Sequence, residues 1–264
     1  GKRGYFQMNK KLKIILTILL ALMMFSACSE TQYVADDTFE PEPSATAENN
    51  NMGIEETVYG GVIKFNSGSY SSLNPLITDN EDIKNYMSLV YSSVVSLGFD
   101  MLPVADLAEN WECDETCTKW TFNLKTGVTW HDGSAFNAED VVGNIEYIKK
   151  NGGNYAANVQ NIDKYSAEGE CVLLIECKEP DNMLPCKMTF PIVKPEALNS
   201  NSSDSVPVGT GMFKYDIHGS TDAKICLNKY DGYYGNSPYI DGAEINVYGN
   251  SSAKYTEEYS FMML

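Results

Sequence analysis

The sequence predicts an α/β fold, and three observations carry that prediction. Short β-rich runs bounded by turn residues recur along the chain, and two stretches between them place apolar residues at helical spacing. Of the 264 residues 43% are hydrophobic and 21% charged, enough apolar surface for one large or two small cores.

Taken in order, the chain starts with GKRGYFQ at residues 1–7, which reads as upstream sequence or a tag. From Met8 it continues MNKKLKIILTILLALMMFSACSE. Three lysines precede the 12-residue apolar block Ile14 to Phe25, which as a helix would rise only ~18 Å against a ~30 Å hydrocarbon core. This is the pattern of a secretory signal rather than of a stable span. Its ending in Ser26, Ala27 and Cys28 resembles the lipobox of bacterial lipoproteins, with Phe25 in place of the usual aliphatic residue. The resemblance implies that the Cys28 thiol is acylated and anchors the mature protein to the outer face of the cell membrane. Residues 28–57 are rich in acids, Pro, Ser and Asn but poor in large apolar side chains, so they are expected to form a flexible tether. Lys and Arg total 19 against 36 Asp and Glu, and five of the basic residues precede Cys28, where no acid occurs. The remainder is strongly acidic and repels phosphate backbones, which argues against a nucleic-acid partner.

GGVIKFNSG, Gly60 to Gly68, is a strand between glycines. Asp79 or Asn80 caps a predicted helix whose apolar positions Ile83, Met87, Val90, Val94 and Leu97 share one face, with Gly98 at its C-terminal end. Trp120, Phe122 and Leu124 alternate with Thr121, Asn123 and Lys125, the mark of a half-buried strand. Gly127 permits a turn. Asn137 then sits where an N-cap belongs, Glu139 and Asp140 favour the helix dipole, and Val141, Ile145 and Ile148 form an inward stripe that ends at Lys149, Lys150 and Gly152. CVLLIECKEP is a further strand, residues 180–206 read as a loop-rich return, and VGTGMFKYD, AKICLNKYDGYYG and GAEINVYG are β segments separated by turns. No internal repeat, P-loop or dinucleotide fingerprint is present.

The chemistry legible in the chain is sparse. His131 and Asp132 are adjacent, so in an extended chain they point to opposite faces, and the only other histidine is His218. A serine-type triad or a three-histidine zinc site would have to be built almost without histidine. WHDG, Trp130 to Gly133, therefore reads as a turn in which Asp132 binds local N–H groups and Gly133 adopts a conformation other residues resist. An exported carboxylate-dependent hydrolase is the alternative from another class, but among 36 acids no spacing singles out a pair. Seven cysteines become six once Cys28 is set aside. Cys171 and Cys177 lie roughly 20 Å apart along one strand and cannot pair with each other. Cys113 and Cys117 flank a hairpin loop and are the candidate disulfide; a single close pair falls short of a zinc site, so no metal or cofactor is expected.

LPVADLAENW followed by KWTFNLKTGVTWHDGSAFNAEDVVGNIEYI is similar to the signature region of the family 5 extracellular solute-binding proteins of ABC transporters, the oligopeptide, dipeptide and nickel-binding group. Trp120, Phe122, Trp130, His131, Asp132, Gly133, Asn137 and Asp140 carry that signature, Asn137 replacing the commoner Thr. The resemblance continues in SSLNPL, PVGTGMFKYD and LNKYDGYYGNSPYIDGAEINVY, spanning residues 58–248. It implies a two-lobed class II periplasmic-binding-protein fold, a non-enzymatic capture protein that closes on a peptide and docks on membrane permease subunits, with nickel or another solute as the variant ligand. The first lobe would divide into a main part at 58–99, an inserted subdomain at 100–195 and a return at 196–250. The second lobe would be missing, leaving 251–264 as a truncated tail, a chain expected to be monomeric and to bind weakly by itself. Ligand contacts are expected from the loop after the first strand, at Ser69, Tyr70, Ser71, Leu73 and Asn74. Tyr86 and Tyr91 are expected to pack the helix, Gly209 to Gly211 to form a structural turn, and Tyr233 and Tyr234 to cover the core edge.

Overall fold

The computed structural model describes residues 59–198 and 206–249. The expected signal, Cys28, the tether and the tail at 251–264 lie outside the described residues.

β1 (Val62–Gly68) leads through a loop to the short helix α1 (Glu81–Tyr86), extended by one 3₁₀ turn at Met87–Leu89. Asn80 is the cap: its side-chain oxygen accepts from the Ile83 N–H at 3.1 Å, and Glu81 and Asp82 occupy the first turn. The helix does not run on to Leu97, which corrects the sequence expectation. The Val90 carbonyl that a continuing helix would offer to Val94 accepts instead from the Gly211 N–H at 2.8 Å. The Asp106 carboxylate meanwhile holds the Ser93 N–H at 2.9 Å and its hydroxyl at 3.2 Å. Val94 is buried all the same, while Val95–Leu97 forms β2, paired antiparallel with β3 (Pro103–Ala105). Gly98 therefore turns a hairpin rather than ending a helix, donating its N–H to the Leu102 carbonyl at 2.9 Å.

The next stretch builds a four-stranded antiparallel sheet in the order β4 (Ala108–Cys113), β5 (Lys119–Leu124), β7, β6, with α2 (Ala138–Asn151) inserted before β6 (Ile162–Glu168) and β7 (Val172–Cys177). Trp120 pairs with Ile175 and Phe122 with Leu173, so the buried face expected of β5 meets the buried face of β7. α2 lies on β6 and β7 through Val141, Ile145 and Ile148. Its start is a reciprocal capping box: the Asn137 side-chain oxygen accepts from the Glu139 and Asp140 N–H groups, and the Asp140 carboxylate accepts from the Asn137 N–H at 2.9 Å. Gly152 ends it at φ 74°, a left-handed conformation in which glycine carries no steric penalty.

After two single-turn helices, α3 (Leu184–Lys187) and α4 (Pro195–Leu198), the chain adds β8 (Phe213–Tyr215), β9 (Lys224–Lys229) and β10 (Gly242–Tyr248). These complete the sheet that β1 began, in the order β1-β10-β9-β8, with β1 and β10 parallel and Phe65 level with Ile245. One four-stranded sheet shared between distant stretches of chain, a second four-stranded sheet and the helices between them make this a mixed α/β fold, as expected.

Phe122 is fully buried between Trp120 and Trp111, whose ring centroids lie 6.1 and 6.4 Å away. Phe122→Ala should lower unfolding free energy by about 3–5 kcal/mol, read as a shift of the urea midpoint at unchanged slope.

Candidate functional site

The parallel pair β1 and β10 ends at Gly68 and Tyr248, and the loop 69–80 leaves from that edge. Its shape is fixed by side chains reaching back to the main chain. The Asn80 amide nitrogen donates to the Gly68 carbonyl at 3.2 Å and the Ser69 carbonyl at 2.9 Å, so one residue both caps α1 and holds the start of the loop. Asp79 accepts from the Ser71 N–H at 3.0 Å and from its hydroxyl at 2.7 Å. That hydroxyl, and then the N–H, hold the carboxyl below the usual range. The Ser72 hydroxyl accepts from the Asn74 N–H at 3.1 Å, and the Asn74 side-chain oxygen accepts from the Leu76 N–H at 3.0 Å. From the second sheet's side, the Asn154 amide nitrogen donates to the Pro75 and Thr78 carbonyls at 3.1 and 3.0 Å.

The five residues expected to contact ligand divide into two groups. Ser69 and Ser71 are exposed and Tyr70 is half-buried. Burial raises the Tyr70 phenol above its ordinary value, and nearby Tyr215 and Asp222 add to the effect. Leu73, at 5% exposure, belongs to the core, and its side chain packs beneath the loop. Asn74 is buried as well. Among the described residues, its Nδ2 and the Thr210 hydroxyl are buried polar atoms without a hydrogen-bond partner.

The WHDG run is tied to a different stretch of chain. Asp132 accepts from the Ser134 N–H at 3.0 Å and hydroxyl at 2.7 Å and pairs with Lys194; that ammonium and the Ser134 groups hold it well below the usual carboxylate range. Gly133, at φ 86°, closes the turn by donating to the Trp130 carbonyl at 2.8 Å. His131 points elsewhere. Its Nδ1 accepts from the Gly209 N–H at 3.3 Å and its Nε2 lies 2.9 Å from the Gly211 carbonyl, which assigns the proton to Nε2 and leaves the ring neutral. Its own N–H donates to the Gly209 carbonyl at 2.9 Å, its carbonyl accepts from the Lys214 ammonium at 2.8 Å, and Tyr230 packs edge-on at 4.8 Å. Both ring nitrogens are thereby committed to backbone groups, and the Asp132 carboxylate is committed to Ser134 and Lys194. The Gly209–Gly211 turn in turn lies flat against Leu89 and Val90. A Cβ on Gly209 would stand 1.9 Å from the Val90 carbonyl oxygen, and one on Gly211 2.6 Å from that of Leu89.

Sequence reasoning missed this clamp because His131 and its partners are separated by about 80 residues. The only available signal was the pair of glycines around Thr210. The tyrosines fall as follows. Tyr86 stacks on Phe65 at 4.7 Å, Tyr91 is a core residue, and the Tyr234 hydroxyl donates to Asp106 beneath the Lys125 ammonium. Cys113 and Cys117 are both free thiols, so the structure does not contain the disulfide considered for them; the neighbouring Cys117 thiol pushes Cys113 up to about 11.

The sequence profile described as "Bacterial extracellular solute-binding proteins, family 5 Middle" matches residues 103–257. The chain belongs to this family. It is 27% identical over 193 residues to the dipeptide-binding protein of Escherichia coli strain K12, a match covering 58% of this chain and 34% of that one. Its fold is similar to that of the periplasmic binding protein DppA from Helicobacter pylori in complex with the peptide STSA, with TM-score 0.65, 21% identity, and 80% and 47% of the two chains covered. It is also similar to the PBP AgaA of A. tumefaciens R10 in complex with agropinic acid, with TM-score 0.66, 23% identity, and 76% and 42% covered. The chain spans about a third of the length of the curated relatives it matches. Family 5 membership agrees with the signature residues read from sequence, and the loop 69–80 precedes the matched region.

Burial lowers the His131 imidazole below its ordinary 6.5, Lys214 acting in the same sense and Asp132 and the Gly211 carbonyl against it. The folded chain thus binds fewer protons than the unfolded chain just below that pH. The stability His131 contributes is complete above about pH 6.5 and is lost as the pH falls through the window beneath it. Urea titrations of His131→Phe should show a protein roughly 2–4 kcal/mol less stable near pH 7.5, from the unpaired Gly209 N–H and Gly211 carbonyl, yet losing less of its stability than the parent as the pH falls below about 6.5.

Proposed function

We propose that the chain forms the first lobe of an exported solute-binding lipoprotein, which captures peptides outside the membrane and delivers them to an ABC permease. Family membership supports the class of activity. The observation that carries the reading is the loop 69–80. It presents Ser69, Tyr70 and Ser71 at the carboxyl ends of two parallel strands, where open α/β sheets bind their ligands. Beneath them the Asn74 Nδ2, a buried donor without a partner, is suited to a peptide carbonyl or carboxylate. The rigidity of the loop keeps the ordering cost of binding low.

The proposed division into a main part at 58–99 and 196–250 and an inserted part at 100–195 is supported by the two four-stranded sheets, β1 with β8 to β10 and β4 to β7, while the β2–β3 hairpin crosses the boundary between the parts. A non-catalytic role fits the commitment of both His131 nitrogens to backbone. The anchor at Cys28 rests on the lipobox-like ending of the apolar block. In this reading a second lobe supplies the opposite wall of the cleft, because tight sites enclose most of their ligand's surface.

Calorimetric titration of the full-length gene product with short peptides should give saturable heat without peptide cleavage. Tyr70→Ala should weaken binding by about tenfold, equivalent to about 1.4 kcal/mol. Unchanged affinity in Tyr70→Ala would remove the loop from the site, and saturation by Ni(II) or another solute in place of peptides would reassign the ligand. Radiolabelled palmitate should enter the parent protein in cells and be lost in Cys28→Ala.

A further inference from the structure

We propose that Cys113 and Cys117 are a redox pair that closes into a disulfide across the β4–β5 turn when it meets a disulfide oxidant. Cys113 ends β4 opposite Trp120 of β5. Between the strands the Asp114 N–H donates to the Lys119 carbonyl and the Cys117 N–H to the Asp114 carbonyl, each at 3.0 Å, so the chain doubles back and sets Cys113 and Cys117 on the two sides of one tight turn. This turn is held without any bridge. The Asp114 carboxylate accepts from the Thr118 N–H at 2.9 Å, the Lys119 N–H at 3.1 Å and the Thr116 hydroxyl at 2.9 Å.

Cys117 sits at φ 50°, in the left-handed region that non-glycine residues other than Asn and Asp seldom occupy. Its carbonyl accepts from the Trp120 indole at 3.2 Å and from the Asp181 N–H at 3.0 Å. Both side chains are half-buried, close enough to solvent for a small oxidant to arrive.

The step balances as two exchanges. The Cys117 thiolate attacks one sulfur of the oxidant disulfide, forming a mixed disulfide and releasing one thiol equivalent. Cys113 then loses its proton to solvent and attacks the Cys117 sulfur, forming the intramolecular bond and releasing the second equivalent. Two thiols are oxidised and one disulfide is reduced. Such oxidants act outside the cytosol, and for the cellular event alone the inference rests on the export reading.

The purified full chain, incubated with a mixture of reduced and oxidised glutathione, blocked with iodoacetamide and digested with trypsin, gives a direct test. The peptide Asn85–Lys119 contains both thiols and no other cysteine. The expected result is that peptide unalkylated and two hydrogen masses lighter, alkylated fully after prior reduction, with Tm of the oxidised protein higher by about 4–8 °C. Cys113→Ser and Cys117→Ser should each abolish the light peptide, while the parent's result stands by itself if a variant fails to fold. Full alkylation of both thiols after oxidation, or a cross-link from either to Cys171, Cys177, Cys186 or Cys226, would overturn the proposal. Peptide binding by a chain that fails this test would leave the solute-binding reading intact, and the reverse outcome would separate the two equally.

Discussion

His131 places a neutral ring where its two nitrogens meet the backbone of Gly209 and Gly211, while its own main chain meets Gly209 and Lys214. Burying these groups without partners would cost about 1–3 kcal/mol apiece, so the returning chain has one low-energy way to lie across the WHDG turn. The same return is pressed against Leu89 and Val90 closely enough to forbid any side chain at Gly209. Three stretches of chain therefore lock together at one point, and the main sheet inherits its geometry from them. β8 begins two residues after Gly211 and starts the run of strands that ends beside β1.

What could be read from sequence was local. Trp120, Phe122 and Leu124 alternate cleanly because one face of β5 is buried and the other wet, and the Asn137 to Asp140 capping box needs only four consecutive residues. Non-local effects were invisible. The apolar spacing from Ile83 to Leu97 fits a helix, but the Gly211 N–H and the Asp106 carboxylate, both from elsewhere, claim the groups that such a helix would need. β6 escaped notice for a different reason: IDKYSAE is mostly exposed at the edge of its sheet, so it has no apolar alternation and is held by its pairing with β7.

The candidate site was legible to the same degree. Serines, Tyr70 and Asn74 after a strand announce a loop of turn chemistry, and the family signature suggested where ligand would lie. Sequence could not tell which of these side chains face outward. Leu73 turns into the core because the loop is pulled down by Asn80 on one side and Asn154 on the other. Two asparagines distant in the chain thus determine which of the loop's side chains face outward.

The parallel pairing of β1 with β10 joins residues 180 positions apart. Closing so long a loop costs roughly 3 kcal/mol more chain entropy than closing a turn of five residues, and that cost falls before any contact repays it. During vectorial emergence from a ribosome or translocation pore, the hairpins of β4 to β7 can assemble as soon as they are out, whereas β1 must wait for Tyr248. Val62 and Ile63, already the more exposed apolar residues of that strand, stay uncovered throughout the delay. This order of assembly makes the first strand the segment most in need of a holding chaperone.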